Sequence, residues 1–207
     1  MKIMLVNGSP HKSGNTYTAL EKMSEQFSSL GADTEIYWVG NKPVSGCTGC
    51  GACFKTGRCA VNDDVNDFND KARLCDGFVF ASPVHYAAAS GALTSFMDRA
   101  FYCSQGLYRL RPAAAVAVAR RAGTTATLDQ INKYFSISEM PVVSGRYWNM
   151  VHGREPGEVL FDEEGLQDLR IVAKNMVYLI NCMKAGEKAG ITPPGKETVT
   201  MTNFIRK

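Results

Sequence analysis

Apolar runs and helical patterns alternate from the first residue of this 207-residue chain. Lys2–Val6 is a short apolar strand, followed by a loop over Asn7–Asn15. Leu20, Met23, Phe27 and Leu30 then recur at three- and four-residue steps, which draws one face of a helix stopped by Gly31. Thr34–Val39 reads as a second strand. Gly77–Ala81 (GFVFA) and Ala113–Ala119 (AAAVAVA) are unbroken apolar runs, as expected of strands buried on both faces of a parallel sheet. Between them Leu93, Phe96, Met97, Ala100 and Phe101 mark another helix. Thr125–Phe135 predicts a further helix, Met140–Ser144 a fifth strand, and Leu166 through Met183 a long final helix. Five strands and about five helices in β-α alternation predict an α/β fold, a doubly wound parallel sheet with right-handed crossovers. The expectation is one domain over 1–207, with a Cys/Gly insertion at 44–62 and a polar tail at 192–207.

Composition narrows the class without naming a function. An apolar fraction of 45% with 21% charged residues is ordinary for a globular protein. A net charge of +3 is too mild for a nucleic-acid partner, and Arg120-Arg121 is the densest basic pair. No stretch approaches the ~18 apolar residues of a membrane span, and the first residues lack the pattern of a secretion signal. Of seven cysteines, four fall between positions 47 and 59, unlike the spread pairs of a secreted disulfide framework. A cytoplasmic protein is expected.

The segment Asn7–Thr16 joins a strand to a helix. Such a junction presents unpaired backbone N–H groups at the positive end of a helix dipole, which suits a phosphate. Ser9, Ser13, Asn15 and Thr16 add side-chain donors, and Gly8 and Gly14 allow close approach. Five residues separate Gly8 from Gly14 and Asn15 stands where a Walker lysine would be, so this is no nucleoside-triphosphate loop. The Rossmann glycine pattern is also absent. A phosphate held by amides and hydroxyls suits a monophosphate cofactor that is not cleaved; the alternative is a turn capped by Ser13 or Asn15.

Ser82-Pro83-Val84-His85-Tyr86 follows the GFVFA strand, and an aromatic and a proline beside small residues make a flat slot for a planar ring. In a sheet ordered 2-1-3-4-5, strands one and three meet at the switch point, where their following loops diverge and open a crevice. The phosphate-type loop and the ring-type loop follow those two strands.

Gly8-Ser9-Pro10 with Gly14-Asn15-Thr16, Ser82-Pro83-Val84 with Tyr86, and Met97-Asp98-Arg99 together resemble the NAD(P)H-dependent FMN reductases of the flavodoxin-like superfamily. The likeness covers residues 1 to about 125 and is closest to the iron–sulfur flavoprotein branch. It implies an FMN phosphate held by Ser9, His11, Ser13, Gly14, Asn15 and Thr16, and an isoalloxazine against Pro83, Val84, His85 and Tyr86. A third contact loop would run from Ala119 through Thr124, with Ala119 and Gly123 as its contacts, although Arg120-Arg121 departs from the glycine-rich pattern of relatives. His85 stands where an aromatic is common. The resemblance also implies NAD(P)H as electron donor, a small acceptor or redox carrier, and a homodimer or homotetramer whose flavin edge a neighbouring subunit closes. Residues 147–153 look similar to such proteins but carry no assigned role.

Cys47, Cys50, Cys53 and Cys59 stand at spacings of two, two and five residues with Gly46, Gly49 and Gly51 interleaved. Soft thiolates so placed can converge on a metal or cluster. Zinc, reversible disulfides or no metal remain open on spacing alone; the resemblance implies a [4Fe–4S] cluster. Cys75, Cys103 and Cys182 read as packing residues, and Asp98-Arg99 as a solvated helix face. Trp148 and His152 read as loop anchors or contacts to a neighbour's flavin. No Ser/His/Asp arrangement appears, as expected if a flavin carries the chemistry. The leading function is therefore an FMN oxidoreductase, with an electron relay between carriers or a flavin or metal sensor as alternatives.

Overall fold

The computed structural model describes residues 1–104, 106–202 and 204. Strands β1 (Lys2–Asn7), β2 (Asp33–Trp38), β3 (Gly77–His85) and β5 (Ala113–Ala119) run parallel in the order β2-β1-β3-β5, with β6 (Met150–His152) at the far edge. The two-residue strand β4 (Ala88–Ala89) turns back on the end of β3. The helices are α1 (Asn15–Ser29), a one-turn α2 (Cys53–Thr56), α3 (Asp64–Ala72), α4 (Gly91–Tyr102), α5 (Thr124–Ile137) and α6 (Glu163–Lys188). The doubly wound sheet expected from the β-α alternation is therefore present.

Alternation along the central strands builds two cores. Met4, Val6, Phe78, Phe80, Ala113, Ala115 and Ala117 face a cluster with α3, α4 and α5. Ile3, Leu5, Val79, Ala81, Ala114, Val116 and Val118 face the opposite cluster with α1 and α6. The small side chains of β5 leave room that aromatics fill on the first face, where Phe68, Phe78, Phe80, Phe96, Phe101, Phe135 and Tyr108 stack and tilt against one another.

The structure departs from the sequence expectations at five places. The fifth strand is Met150–His152 rather than Met140–Ser144, which makes only the bridge from Val142 to Ala113. After that bridge the chain leaves the sheet. The Asn149 side chain bridges the gap, its Nδ2 donating to Ala115 O at 3.0 Å where a strand N–H would otherwise stand. Strand β3 continues through Pro83 and His85, so the ring-type segment is a strand end and a hairpin rather than a loop. Helix α3 was not read from the sequence; Val65, Phe68 and Ala72 are its buried stripe among Asn and Asp, and Asp63 caps it by accepting from Val65 N–H. Arg99 is fully buried, not solvated, and Cys182 is exposed rather than packed.

Candidate functional site

The strand-one loop is built by its own polar side chains. Buried Asn7 accepts the Ser9 N–H at 3.0 Å and donates to Lys12 O at 3.3 Å. Ser9 Oγ accepts the His11 N–H at 3.1 Å, and the Trp38 indole donates to Ser9 O at 2.9 Å. Ser9 is thus a buried organiser of the turn. Gly8 is locked to β3 through its N–H to Ala81 O, at 2.9 Å, and Ser90 Oγ donates to Gly8 O at 2.6 Å. A Cβ on Gly8 would stand 2.7 Å from Leu93, so only glycine fits where α4 crosses the loop.

Helix α1 begins at Gly14 with no side-chain cap and no acidic residue in its first turn. Its first backbone bond runs from Thr18 N–H to Gly14 O, which leaves the amides of Asn15, Thr16 and Tyr17 ahead of the ladder. Asn15 and Thr16, with Lys12, Ser13 and Gly14 ahead of them, line one cavity of about 600 Å³. Pro83, Val84 and His85 from β3, Val118 and Ala119 from β5, and Arg120 line it from across the switch point. Gly153, Arg154 and Pro156 close a further side. Lys12, Arg120 and Arg154 line the cavity, Arg154 Nε pairing with Glu155 Oε1 at 3.2 Å, and among the described residues no Asp or Glu is in the lining.

Of the expected residues, Ser9, His11, Ser13, Gly14, Asn15, Thr16, Pro83, Val84, His85 and Ala119 meet at this cavity. Tyr86 and Gly123 do not line it. Tyr86 is fully exposed at the hairpin tip, where it and Ala87 adopt φ of 51° and 57°. That is the two-residue turn in which Asn-Gly is usual. Gly123 sits behind the hairpin at φ 94°, and a Cβ there would fall 2.8 Å from Ala87 Cα.

Asn15 lines the cavity, but its carboxamide is turned to another task. Nδ2 donates to Glu155 O at 2.9 Å, while Oδ1 accepts the N–H groups of Gly157 at 3.0 Å and Val159 at 3.3 Å. The segment after β6 is therefore stitched to the first turn of α1. This gives residues 147–153 their place: they carry the chain into the cavity wall. His152 anchors that wall, its N–H donating to Asp162 Oδ2 at 2.7 Å. Trp148 packs edge-on against Tyr147, and both are more than half exposed. Sequence reasoning missed Lys12, Trp38, Asn41 and the 153–156 wall. Trp38 ends β2 beside β1, so the strand order was the signal that could have found it.

The four clustered cysteines border a second, water-sized void of about 20 Å³, with Arg99, Tyr102 and Cys103 from the end of α4. Cys47 and Cys50 are exposed, Cys59 is half-buried and Cys53 is buried. Burial pushes the Cys53 thiol up; at Cys50 the Ala52 N–H, then the Thr48 hydroxyl, lower the thiol. Among the described residues no group of three or more His, Cys, Asp or Glu is arranged for one metal ion. Four thiols in one segment are the soft donor type that iron–sulfur clusters take.

The family model for NADPH-dependent FMN reductase matches residues 1–155. The chain belongs to that family. It is accordingly a flavin-linked oxidoreductase with a flavodoxin-like fold. Among relatives of this family member, an iron-sulfur flavoprotein of Methanocaldococcus jannaschii is 30% identical over 193 residues, covering 89% of this chain and all of that protein. Among solved structures, a flavoenzyme NAD(P)H:(acceptor) oxidoreductase from Paracoccus denitrificans superposes with a TM-score of 0.66 at 14% identity, over 87% of this chain and 97% of that one. A flavodoxin from the domain Archaea gives 0.59 at 14% identity, over 87% and 99%. No helix among the described residues is long and apolar enough to cross a membrane.

Proposed function

We propose that the 600 Å³ cavity binds FMN, with its phosphate at the N-terminus of α1 and its ring system beside Pro83–His85 and Val118–Ala119, and that the chain reduces a small acceptor at the expense of NAD(P)H. The observation that carries this reading is an uncapped, acid-free helix start opening into a cavity lined by Lys12, Arg120 and Arg154, with no Asp or Glu in the lining among the described residues. Free amides and a dipole end favour a phosphate dianion, and Lys12 adds a point charge. The volume falls within the ~300–1,000 Å³ of cofactor sites.

FMN, when bound, supplies the acceptance of hydride and the onward delivery of electrons. The chain supplies the rest. The Ser9 turn holds the amides in place, and the apolar strand ends of β3 and β5 exclude water from the ring side. Arg120 and Arg154 give the rim a positive charge for an anionic dinucleotide, and His85 brings an imidazole to the same wall. Anaerobic mixing of FMN-loaded protein with NADH or NADPH, followed by a quinone or free flavin, tests this. Bleaching and recovery of the flavin spectrum support it; a flavin that neither dinucleotide reduces rejects the donor.

The Cys47, Cys50, Cys53 and Cys59 thiolates are proposed to hold a [4Fe–4S] cluster. Support comes from the shared void and from the iron-sulfur naming of the M. jannaschii relative. A relay of electrons to a protein carrier is the second reading. It is favoured by exposed Phe54 and Tyr102, which pack edge-on at 5.4 Å beside the thiols and offer an apolar contact surface. We also propose a homo-oligomer, because Tyr86, Tyr147, Trp148 and Phe161 are large apolar side chains left exposed. The crowding of four of the seven cysteines into positions 47–59, unlike the spread pairs of a secreted disulfide framework, supports a cytoplasmic setting.

A further inference from the structure

Arg99 is the one arginine with a side chain fully shut from solvent, among the ion pairs of the described residues. It lies in the last turn of α4, and every face of its guanidinium is engaged by the cysteine segment. Nη1 and Nη2 form a two-pronged pair with Asp63 at 2.6 and 2.7 Å. Nη2 also donates to Val61 O at 3.2 Å, and Nη1 reaches Ser45 O and Oγ at 3.5 and 3.4 Å. The fifth donor, Nε, points at Cys59 Sγ at 3.3 Å. Ser45 precedes the first clustered cysteine; Val61 and Asp63 follow the last.

We propose that Arg99 is a positioning residue for the cysteine site: it closes the segment by gripping both flanks and presets Cys59 through an N–H···S bond. The inference rests on the cluster reading for what Cys59 would hold, but not for the grip itself. A planar fork of five donors suits this task, whereas a lysine ammonium has three donors and no fixed plane. A buried guanidinium is tolerable only because Asp63 neutralises it and five oxygens and a sulfur surround its hydrogens. The helix is rigid and packed in the aromatic core, so the grip transfers that rigidity to a glycine-rich segment that has little of its own. Toward a cluster, an N–H aimed at a ligating sulfur stabilises the more negative reduced state and raises its reduction potential.

The test compares wild type with Arg99→Lys and Arg99→Gln in the full FMN-loaded chain, with flavin absorbance reporting that the fold and the first cavity survive. In metal-free protein, amide hydrogen exchange over 45–63 should accelerate roughly tenfold to a hundredfold, the expected loss for charge-assisted bonds, while the β1, β3 and β5 amides stay protected. In anaerobically reconstituted protein, Arg99→Lys should lower the cluster midpoint potential, and Cys59→Ser should make the potential insensitive to a further change at 99. Unchanged exchange over 45–63, or an acceleration spread evenly through the sheet, overturns the grip. A potential that does not move in an iron-loaded Arg99→Lys protein overturns the bond to Cys59. Wild-type protein that takes up no iron rejects the cluster reading and with it the preset ligand, and the exchange experiment still decides the grip.

Discussion

Asn15 Oδ1 accepts the Gly157 N–H at 3.0 Å, tying the first turn of the first helix to a segment 142 residues away. The same oxygen takes Val159 N–H, and Nδ2 gives its hydrogen to Glu155 O. An asparagine in a phosphate-type loop thus acts here as the hinge pin of the cavity wall.

Two substitutions at this position separate wall-building from phosphate recognition. Asn15→Ala removes all three bonds and should cost about 1–3 kcal/mol of stability and at least tenfold in FMN affinity. Asn15→Asp keeps the acceptor for Gly157 and Val159 but sets a negative charge at the helix start, so it should weaken FMN binding with a smaller loss of melting temperature. Calorimetric titration with parallel thermal melts checks both. Equal FMN affinity in Asn15→Asp and wild type would place the phosphate away from α1.

Gly123 probes the hairpin that ends β3. Its φ of 94° and the 2.8 Å approach of Ala87 Cα leave no room for a methyl group. Gly123→Ala should destabilise the fold by about 1–3 kcal/mol through overpacking and strain. It should also push Val84, whose Cγ1 stands equally close, toward the ring side of the cavity. A loss of stability with unaltered flavin absorbance would dissociate the hairpin from the ring site.

Acid should unfold the protein through identifiable carboxylates. Hydrogen bonds from Lys2 and Lys71 hold Glu35 below its ordinary value, and the Arg99 guanidinium does the same for Asp63. A depressed folded value means the unfolded chain takes up the proton first. Their contribution is therefore present above the ordinary carboxylate range near pH 4 and is lost as pH falls through the lower folded values. Urea midpoints measured from pH 6 to 3 should fall, and Glu35→Gln should flatten the fall. A parallel decline in the variant would assign the acid sensitivity to other groups.

The cysteine site makes a compositional prediction. Anaerobic preparations should carry about four iron and four sulfide per chain, and Cys50→Ser should abolish them while FMN stays bound. Iron-free anaerobic protein with normal NAD(P)H oxidation would leave a flavin reductase without a cluster.

Much of this architecture could be read in the chain because its signals are local. GFVFA and AAAVAVA are apolar without interruption since both faces are covered, and α1 and α6 carry clear stripes. The edge strand could not be read, because it is three residues long and is held by backbone bonds such as Ala117 N–H to Asn149 O, with only Val151 buried in it. Helix α3 hides for a related reason: Asn66 and Asn69 are buried and polar, held by Cys59 and by Tyr108 and Ala100, so its stripe is broken. The first cavity was legible in the loop after β1 and in the C-terminal end of β3, which the switch-point rule places together. Its remaining wall came from residues 153–156, far along the chain, and only the Asn15 stitch reveals why they belong. Arg99 reads as a surface charge from its sequence, since nothing local shows that Asp63 and Ser45 will enclose it.

The central claim is that α1 receives a phosphate in the cavity it opens. Comparative titration with FMN and riboflavin measures this most directly, because the two ligands share a ring and differ in that group. FMN should bind at one per chain and tighter than riboflavin by a factor of roughly 10²–10⁴, the worth of two charge-assisted bonds at ~1.5–3 kcal/mol each. Equal affinity for the two, or no binding of either by protein that is folded, would contradict the account.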